Sequence, residues 1–268
     1  MTRRRFPVGK TLLYVFMSLW ALTTIYPFIW VILNSFKPRG LIRSDTFSLP
    51  IGDKFTLENY VTAFKRVDIG TAYVNSIVIS GAVTVVVMVL AGLAAYAMVR
   101  YSFRLRGFLH SMIIASMMFP VFSTIIPVFR MESSWGIVNT GSIWLTRLSV
   151  VLPQIAGNLS FAIIVLMGFI RSLPVDLEEA AYLEGYNVYQ IFFRIIMPLA
   201  KPSFATVGIF TFLWSYNDLF LQMFFLRSKK FFTITRLLNE ISSQAGTNYG
   251  LMVAAVVMAE TLLAENEF

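Results

Sequence analysis

Six stretches of this chain carry no Asp, Glu, Lys or Arg: Thr11–Phe36, Ile69–Val99, Gly107–Phe129, Leu148–Ile170, Pro202–Asn217 and Ile241–Ala259. A helix needs about 20 apolar residues to cross a hydrocarbon core about 30 Å thick. The first four stretches meet that length. The fifth meets it only if Asp218 is carried into the membrane with the apolar Leu219–Leu226 behind it. The sixth is marginal, because Ile241–Gly250 is polar and contains glycine. Runs such as Val83–Leu90 do not alternate, unlike the strands of a transmembrane barrel. Backbone groups in lipid need internal partners, so the spans are expected to be helices. The pattern predicts an all-α polytopic membrane protein, one transmembrane domain over 1–268. Its six spans are expected at about 11–34, 72–99, 108–130, 148–170, 203–226 and 249–264, with both termini on one side. Pro120 and Pro127 predict a kink or break in the third span.

Two hydrophilic segments interrupt this pattern. The first, Lys37–Asp68, carries the breakers Pro38, Pro50 and Gly52. The second, over 171–202, has its own periodicity. Pro174 and Asp176 suit a helix start, and Glu178 and Glu179 fall in the first turn, where carboxylates complement the helix dipole. Gly185 is a usual stop residue. A second helix is expected from about Val188 to near Pro198. Its apolar stripe is Val188, Ile191, Phe192, Ile195 and Ile196. A helix, a glycine turn and an amphipathic helix are thus expected to lie at the membrane surface and present something to a partner.

Composition agrees with the pattern and narrows the chemistry. Of the 268 residues, 57 % are hydrophobic and 13 % charged, against about 25 % charged in a soluble domain. The 25 Phe residues exclude a disordered chain. With no Cys and one His, His110, the chain has no disulfide framework or thiol nucleophile and is poorly equipped for metal or acid–base chemistry. No catalytic or metal site is expected, and His110 reads as structural. Val8-Gly9-Lys10-Thr11 imitates the end of a phosphate-binding loop, but Arg4 stands where the earlier glycine is needed and a span follows, so no ATPase activity is expected in this chain.

Charge sets an expected orientation. Arg3, Arg4, Arg5, Lys10, Arg100, Arg104, Arg106, Arg171, Arg194 and Lys201 would share one side, and the other basic residues, including the Arg227, Lys229 and Lys230 cluster, the opposite side. The tail and the short Arg100–Arg106 loop favour a cytoplasmic N-terminus, while the Arg227–Lys230 cluster argues the other way. The net charge of +8 has a membrane explanation and, without a basic–aromatic platform, does not point to nucleic acid.

The 171–202 segment resembles the cytoplasmic loop shared by permease subunits of binding-protein-dependent ABC importers. That pattern is Glu-Ala-Ala, three residues, Gly, nine residues, then Ile-x-Leu-Pro. This chain has Glu179-Ala180-Ala181, Gly185 and Ile195-Ile196-Met197-Pro198 at those spacings, with Met197 in place of Leu. Thr56-Leu57-Glu58-Asn59-Tyr60, Ala94-Ala95-Tyr96-Ala97, Phe119-Pro120 and Ile125-Ile126-Pro127 are similar to the carbohydrate-uptake branch, in particular the second permease of maltose-type systems. The resemblance implies a multi-pass protein of a bacterial or archaeal plasma membrane. Its implied partners are a second permease subunit, two ATPase subunits that hold ATP and magnesium, and an extracytoplasmic substrate-binding protein. It implies no cofactor in this chain. It also implies that the helix with Glu179, Ala180 and Ala181 docks into the ATPase subunit, with Gly185 permitting the reversal and Pro198 closing the motif.

The residues themselves leave alternatives. Glu179 is a coupling charge or a solvated first-turn carboxylate. Asn217 and Asp218 lie deep in the fifth span, where a carboxylate is costly and normally faces a cavity or a partner. With Trp214 and Tyr216 they are candidates for a sugar pathway, or else Asp218 makes a structural bond or marks the span's outer end. Gln154, Asn158 and Ser160 in the fourth span read as interhelical bonds. The expected function is half of a translocation pathway for an oligosaccharide or related sugar. The same scaffold carrying a polyol, a sugar phosphate or an acidic sugar is the alternative, and a membrane-embedded glycoside-processing enzyme is the rival from another class. The short acidic C-terminus, with Glu260 inside the last span, departs from related permeases.

Overall fold

The computed structural model describes residues 8–66, 68–245 and 249–264, and these form helices and turns with no strand among them. Arg3, Arg4 and Arg5, the tail beyond Ala264 and the Glu260 side chain fall outside what is described. The chain divides into two compact units, one of residues 1–69 and 238–268, the other Gly70–Leu237.

In the first unit, α1 (Val8–Ser35) is apolar all round, and its side chains from Gly9 to Ile29 are exposed. Such a surface is compatible with lipid or another subunit and not with water. Short helices α2 (Arg39–Ser44) and α3 (Glu58–Arg66) follow. Lys37 is fully buried and donates from Nζ to the carbonyls of Asp45 (3.1 Å) and Thr46 (2.8 Å). Burial holds its pKa below the ordinary lysine value. Asn59 on α3 donates to the carbonyls of Ser35 (2.9 Å) and Lys37 (2.8 Å).

The second unit is built on α4 (Ile69–Arg100), long and apolar enough to span. Val83, Val87, Ala91 and Ala95 recur every four residues along one stripe of α4, and all are fully buried. Helices α5 (Arg106–Ser116) and α6 (Val121–Ser134) are bent by 104° about a break at residues 117–120. The expected third span is therefore a broken helix pair, with Pro120 at the break and Pro127 inside α6. Next, α7 (Ile143–Ser172) is a second long apolar helix, and α8 (Asp176–Leu183) follows it.

After Gly185 come α9 (Val188–Ile191), a π-helical turn over Phe192–Ile196 and α10 (Met197–Leu199). The π turn sits just before Pro198, whose ring removes one N–H from the ladder. A bend of 81° leads into α11 (Lys201–Asn217), then α12 (Leu219–Phe225). The expected apolar stripe divides: Val188 stays exposed, while three of its members turn inward. Ile191, Phe192 and Ile196 are buried in the core with Leu166 and Ile170 of α7, Phe204 and Val207 of α11, and the α4 stripe. Two glycines allow that approach. A Cβ on Gly92 would stand 2.8 Å from the Phe204 ring, and one on Gly208 would stand 3.2 Å from the Met88 sulfur.

The last helices are α13 (Ile234–Ala245) and α14 (Tyr249–Ala264). Among the described residues, three helices are long and apolar enough to cross a membrane, or up to five if each bent pair is one span; α14 is a shorter apolar helix in the place of the sixth.

Candidate functional site

The motif segment divides α8 into two faces, one turned to solvent and one to the core. Glu179 and Ala180 are exposed, and Leu183 is 91 % exposed. Glu178 and Ala181, three residues apart and so on one side of the helix, are each 4 % exposed. The core thus takes Ala181 and the carboxylate before the motif, while Glu179, Ala180 and Leu183 stand free beside the exposed Leu177 and Tyr182.

Glu178 is held at the end of α4. Its Oε1 accepts from Arg100 Nε at 2.5 Å and its Oε2 accepts from the Tyr96 hydroxyl at 2.8 Å. Arg100 Nη2 donates to the carbonyl of Leu173, the residue after α7, at 2.9 Å. The ionic partners are 10 % and 5 % exposed, so water screens the pair little. Tyr96, one turn before Arg100, also packs on Phe192 at 5.6 Å between ring centroids. One guanidinium therefore joins α4, the end of α7 and the start of α8. Nearby, the Tyr101 and Tyr182 hydroxyls lie 3.1 Å apart, and that hydrogen bond raises the Tyr182 pKa.

The turn after α8 needs glycine. Gly185 has φ +85°, a region that β-carbons disfavour, and its N–H donates to the Tyr182 carbonyl at 3.0 Å. The next N–H, of Tyr186, donates to the Ala181 carbonyl at 3.0 Å. A capping box then starts α9: Gln190 N–H donates to Asn187 Oδ1 (2.9 Å), and Asn187 N–H donates to Gln190 Oε1 (2.8 Å). Pro198 is exposed within α10.

The pathway candidates lie elsewhere in the second unit, at the break between α11 and α12. Asp218 caps α12, its Oδ1 accepting from Leu221 N–H at 3.2 Å. Its Oδ2 accepts from Gln154 Nε2 of α7 at 3.1 Å. Gln154 Oε1 accepts from Ser215 Oγ at 2.6 Å, and Gln222 Nε2 donates to the Ser215 carbonyl at 3.1 Å. Asn158 donates to the Gln154 carbonyl within α7. Tyr216 is buried, Asn217 is exposed and bonds its own helix at the Leu213 carbonyl, and Trp214 is half exposed against Phe161 at 4.8 Å. Ser160 pairs with Ser116 of α5 at 2.5 Å, and His110 is half-buried on α5. An apolar cavity of 320 Å³ opens at the α5–α6 bend, lined in part by Ser116, Phe119, Ile125, Gly157, Leu221 and Phe225. Asn217, Asp218, Trp214 and Tyr216 are not in its lining.

The structure thus keeps Glu179, Ala180, Ala181 and Gly185 together on one short helix and its turn, and it gathers Gln154 and Asp218 into one network. Sequence reading missed Glu178, Arg100 and Tyr96. The three-residue spacing of Glu178 and Ala181 was a signal for the buried face of α8, but nothing in the sequence named their partners on α4. It also passed over Glu132, 1 % exposed on α6, whose Oε2 has no hydrogen-bond partner among the described residues.

Residues 87–264 match the family described as binding-protein-dependent transport system inner membrane component. The chain is 33 % identical over 247 residues to the diacetylchitobiose uptake system permease protein of Streptomyces coelicolor, covering 91 % of this chain and 79 % of that one. It is 30 % identical over 234 residues to the melibiose/raffinose/stachyose import permease protein of Bacillus subtilis, covering 87 % and 82 %. Its fold is similar to a chain in the crystal structure of a bacterial ABC transporter involved in the import of the acidic polysaccharide alginate. The TM-score is 0.81 at 22 % identity, covering 98 % of this chain and 95 % of that one. Most of its length is accounted for by these matches, and the chain belongs to the family of multi-pass inner-membrane permease components of binding-protein-dependent ABC transport systems.

Proposed function

We propose that this chain forms half of the translocation pathway of an ATP-driven importer for an oligosaccharide or related sugar. A second permease completes the pathway, and a substrate-binding protein delivers the solute from outside. Two ATPase subunits, holding ATP and magnesium, sit at the cytoplasmic face and receive α8. The N-terminus is cytoplasmic and the apolar spans lie in the bilayer.

The observation that carries this reading is the division of α8: the motif residues Glu179 and Ala180 stand exposed with Leu183 on a helix whose other face is anchored in the core. Small Ala180 permits close approach, Glu179 offers a charge to pair, and Gly185 sets the reversal behind them. Family membership supports transport in place of catalysis, and the sugar names of the related permeases support the substrate class. Asp218 and Gln154 serve the pathway by holding the α11–α12 break, with Trp214 and Asn217 the exposed residues beside it.

The test is ATP hydrolysis by the reconstituted complex with its binding protein. Neutral oligosaccharides should stimulate it, while polyols, sugar phosphates and acidic sugars should not. Stimulation by one of the latter would reassign the solute. Turnover of a glycoside by this chain alone would overturn transport. Glu179→Arg and Gly185→Leu should abolish uptake, and normal uptake by both would remove α8 from coupling.

A further inference from the structure

Arg100 and Asn75 sit near opposite ends of α4, and each ties that helix to a different part of the second unit. At Arg100 the clasp consists of Glu178, Tyr96 and the Leu173 carbonyl. At the far end, Asn75 Nδ2 donates to the carbonyls of Phe232 (3.1 Å) and Lys230 (3.3 Å), while its Oδ1 accepts from Arg147 of α7 at 2.8 Å. Next to it, Ser76 Oγ accepts from the N–H of Ile234 at 2.9 Å. Twenty-five helical residues separate the clasps, about 37 Å at ~1.5 Å per residue. Asn75 and Ser76 are each 1 % exposed. Between the clasps the α4 stripe is fully buried and Gly92 is closed against Phe204, which leaves little room for independent sliding.

We propose that Arg100 is a positioning residue that locks α8 to α4 through Glu178. The two helices then move as one body, and α4 delivers displacement of α8 to the 230–234 segment held by Asn75 and Ser76. The inference rests on the reading that α8 meets the ATPase subunit. Without the clasp, α8 would keep only Ala181 and the turns at Leu173 and Gly185 to hold it, and part of a push on its exposed face would be absorbed there. A single ion pair with a phenol and a carbonyl fixes both the position and the rotation of α8, because the guanidinium fork presents donors in a set plane.

The sequence contains no Cys, so spin labels can be placed at will. Labels at Asp176 and Ser102, both exposed, report the distance between α8 and the end of α4 in the full reconstituted importer. The expected result is one narrow distribution, unchanged between nucleotide-free and ATP-trapped states. Glu178→Gln should broaden it and lower uptake per ATP hydrolysed about tenfold, with the ATPase subunits still bound. Tyr96→Phe, which removes one hydrogen bond and keeps the ion pair, should give a smaller loss. Arg100→Gln placed in the Glu178→Gln background should add little further loss, since the two residues act as one unit. A distance that shifts between states in the parent overturns the proposal, as do an unbroadened distribution in Glu178→Gln or losses that multiply in the double variant. If α8 does not meet the ATPase at all, Glu179→Arg transports normally while the labelled distance stays fixed, which separates that failure from this one.

Discussion

The α8 clasp holds a buried carboxylate and the α11–α12 break a half-buried one, and they satisfy it in different ways. Glu178 meets a guanidinium and a phenol from another helix. Asp218 meets the amide of Gln154 and the N–H of Leu221, three residues on in its own chain. The difference follows from what each carboxylate does. Glu178 joins two elements, so removing it leaves the Arg100 charge without its partner. Asp218 starts an element: α11 stops at Asn217, and the first turn of α12 has free donors that a side-chain acceptor satisfies. One site is an ionic joint between helices, and the other is a helix cap that also reaches α7 through a neutral amide.

The sharpest way to break this contrast is to compare neighbours on α8. Glu178→Ala should cost about 3–5 kcal/mol of stability, because it strands a buried cation. Glu179→Ala should stay within about 0.5 kcal/mol, as exposed substitutions usually do. Thermal unfolding of the purified protein in detergent measures both, and equal losses would erase the two-faced reading of α8. Gly92→Ala comes next, at about 1–3 kcal/mol from overpacking against Phe204. An unchanged melting temperature would mean that the α4–α11 contact yields easily.

Asp218 then tests the other joint. Asp218→Ala should cost about 1–2 kcal/mol through the lost cap, whereas Asn, an equally good cap, should cost a few tenths. If Asp218→Asn keeps its melting temperature but loses uptake, the charge itself serves the pathway. A smaller effect is expected for Gly185→Ala, about 1 kcal/mol for a β-carbon in the left-handed region. The smallest is Asn187→Ala, about 0.5 kcal/mol from a capping box at an exposed helix start. Both are read from the same melts.

The legible parts of the fold were those with local causes. Charge-free runs located α1, α4 and α7, and Pro120 marked the break before α6. Gly185 ended α8 because only the αL turn there needs it. The 171–202 motif marks α8 from local spacing alone. Less legible were features that depend on distant residues. The α9 stripe reads the same whether lipid headgroups or Phe204 and Leu166 cover it, and packing chose the second. Asp218 read as either a pathway charge or a structural bond, and in the structure it caps α12 while reaching Gln154, 64 residues away.

By itself, then, the sequence determined that this is a helical membrane protein, roughly where its long spans run, and which short helix carries the family motif. Those conclusions rest on periodicity, charge and turn chemistry, which act over a few residues. Only the tertiary structure decided that Glu178, not Glu179, is the anchored carboxylate. Both lie in the same first turn and suit the same dipole. What separates them is the 100° between successive helical side chains and the presence of Arg100, 78 residues earlier in the chain, on the side that Glu178 faces.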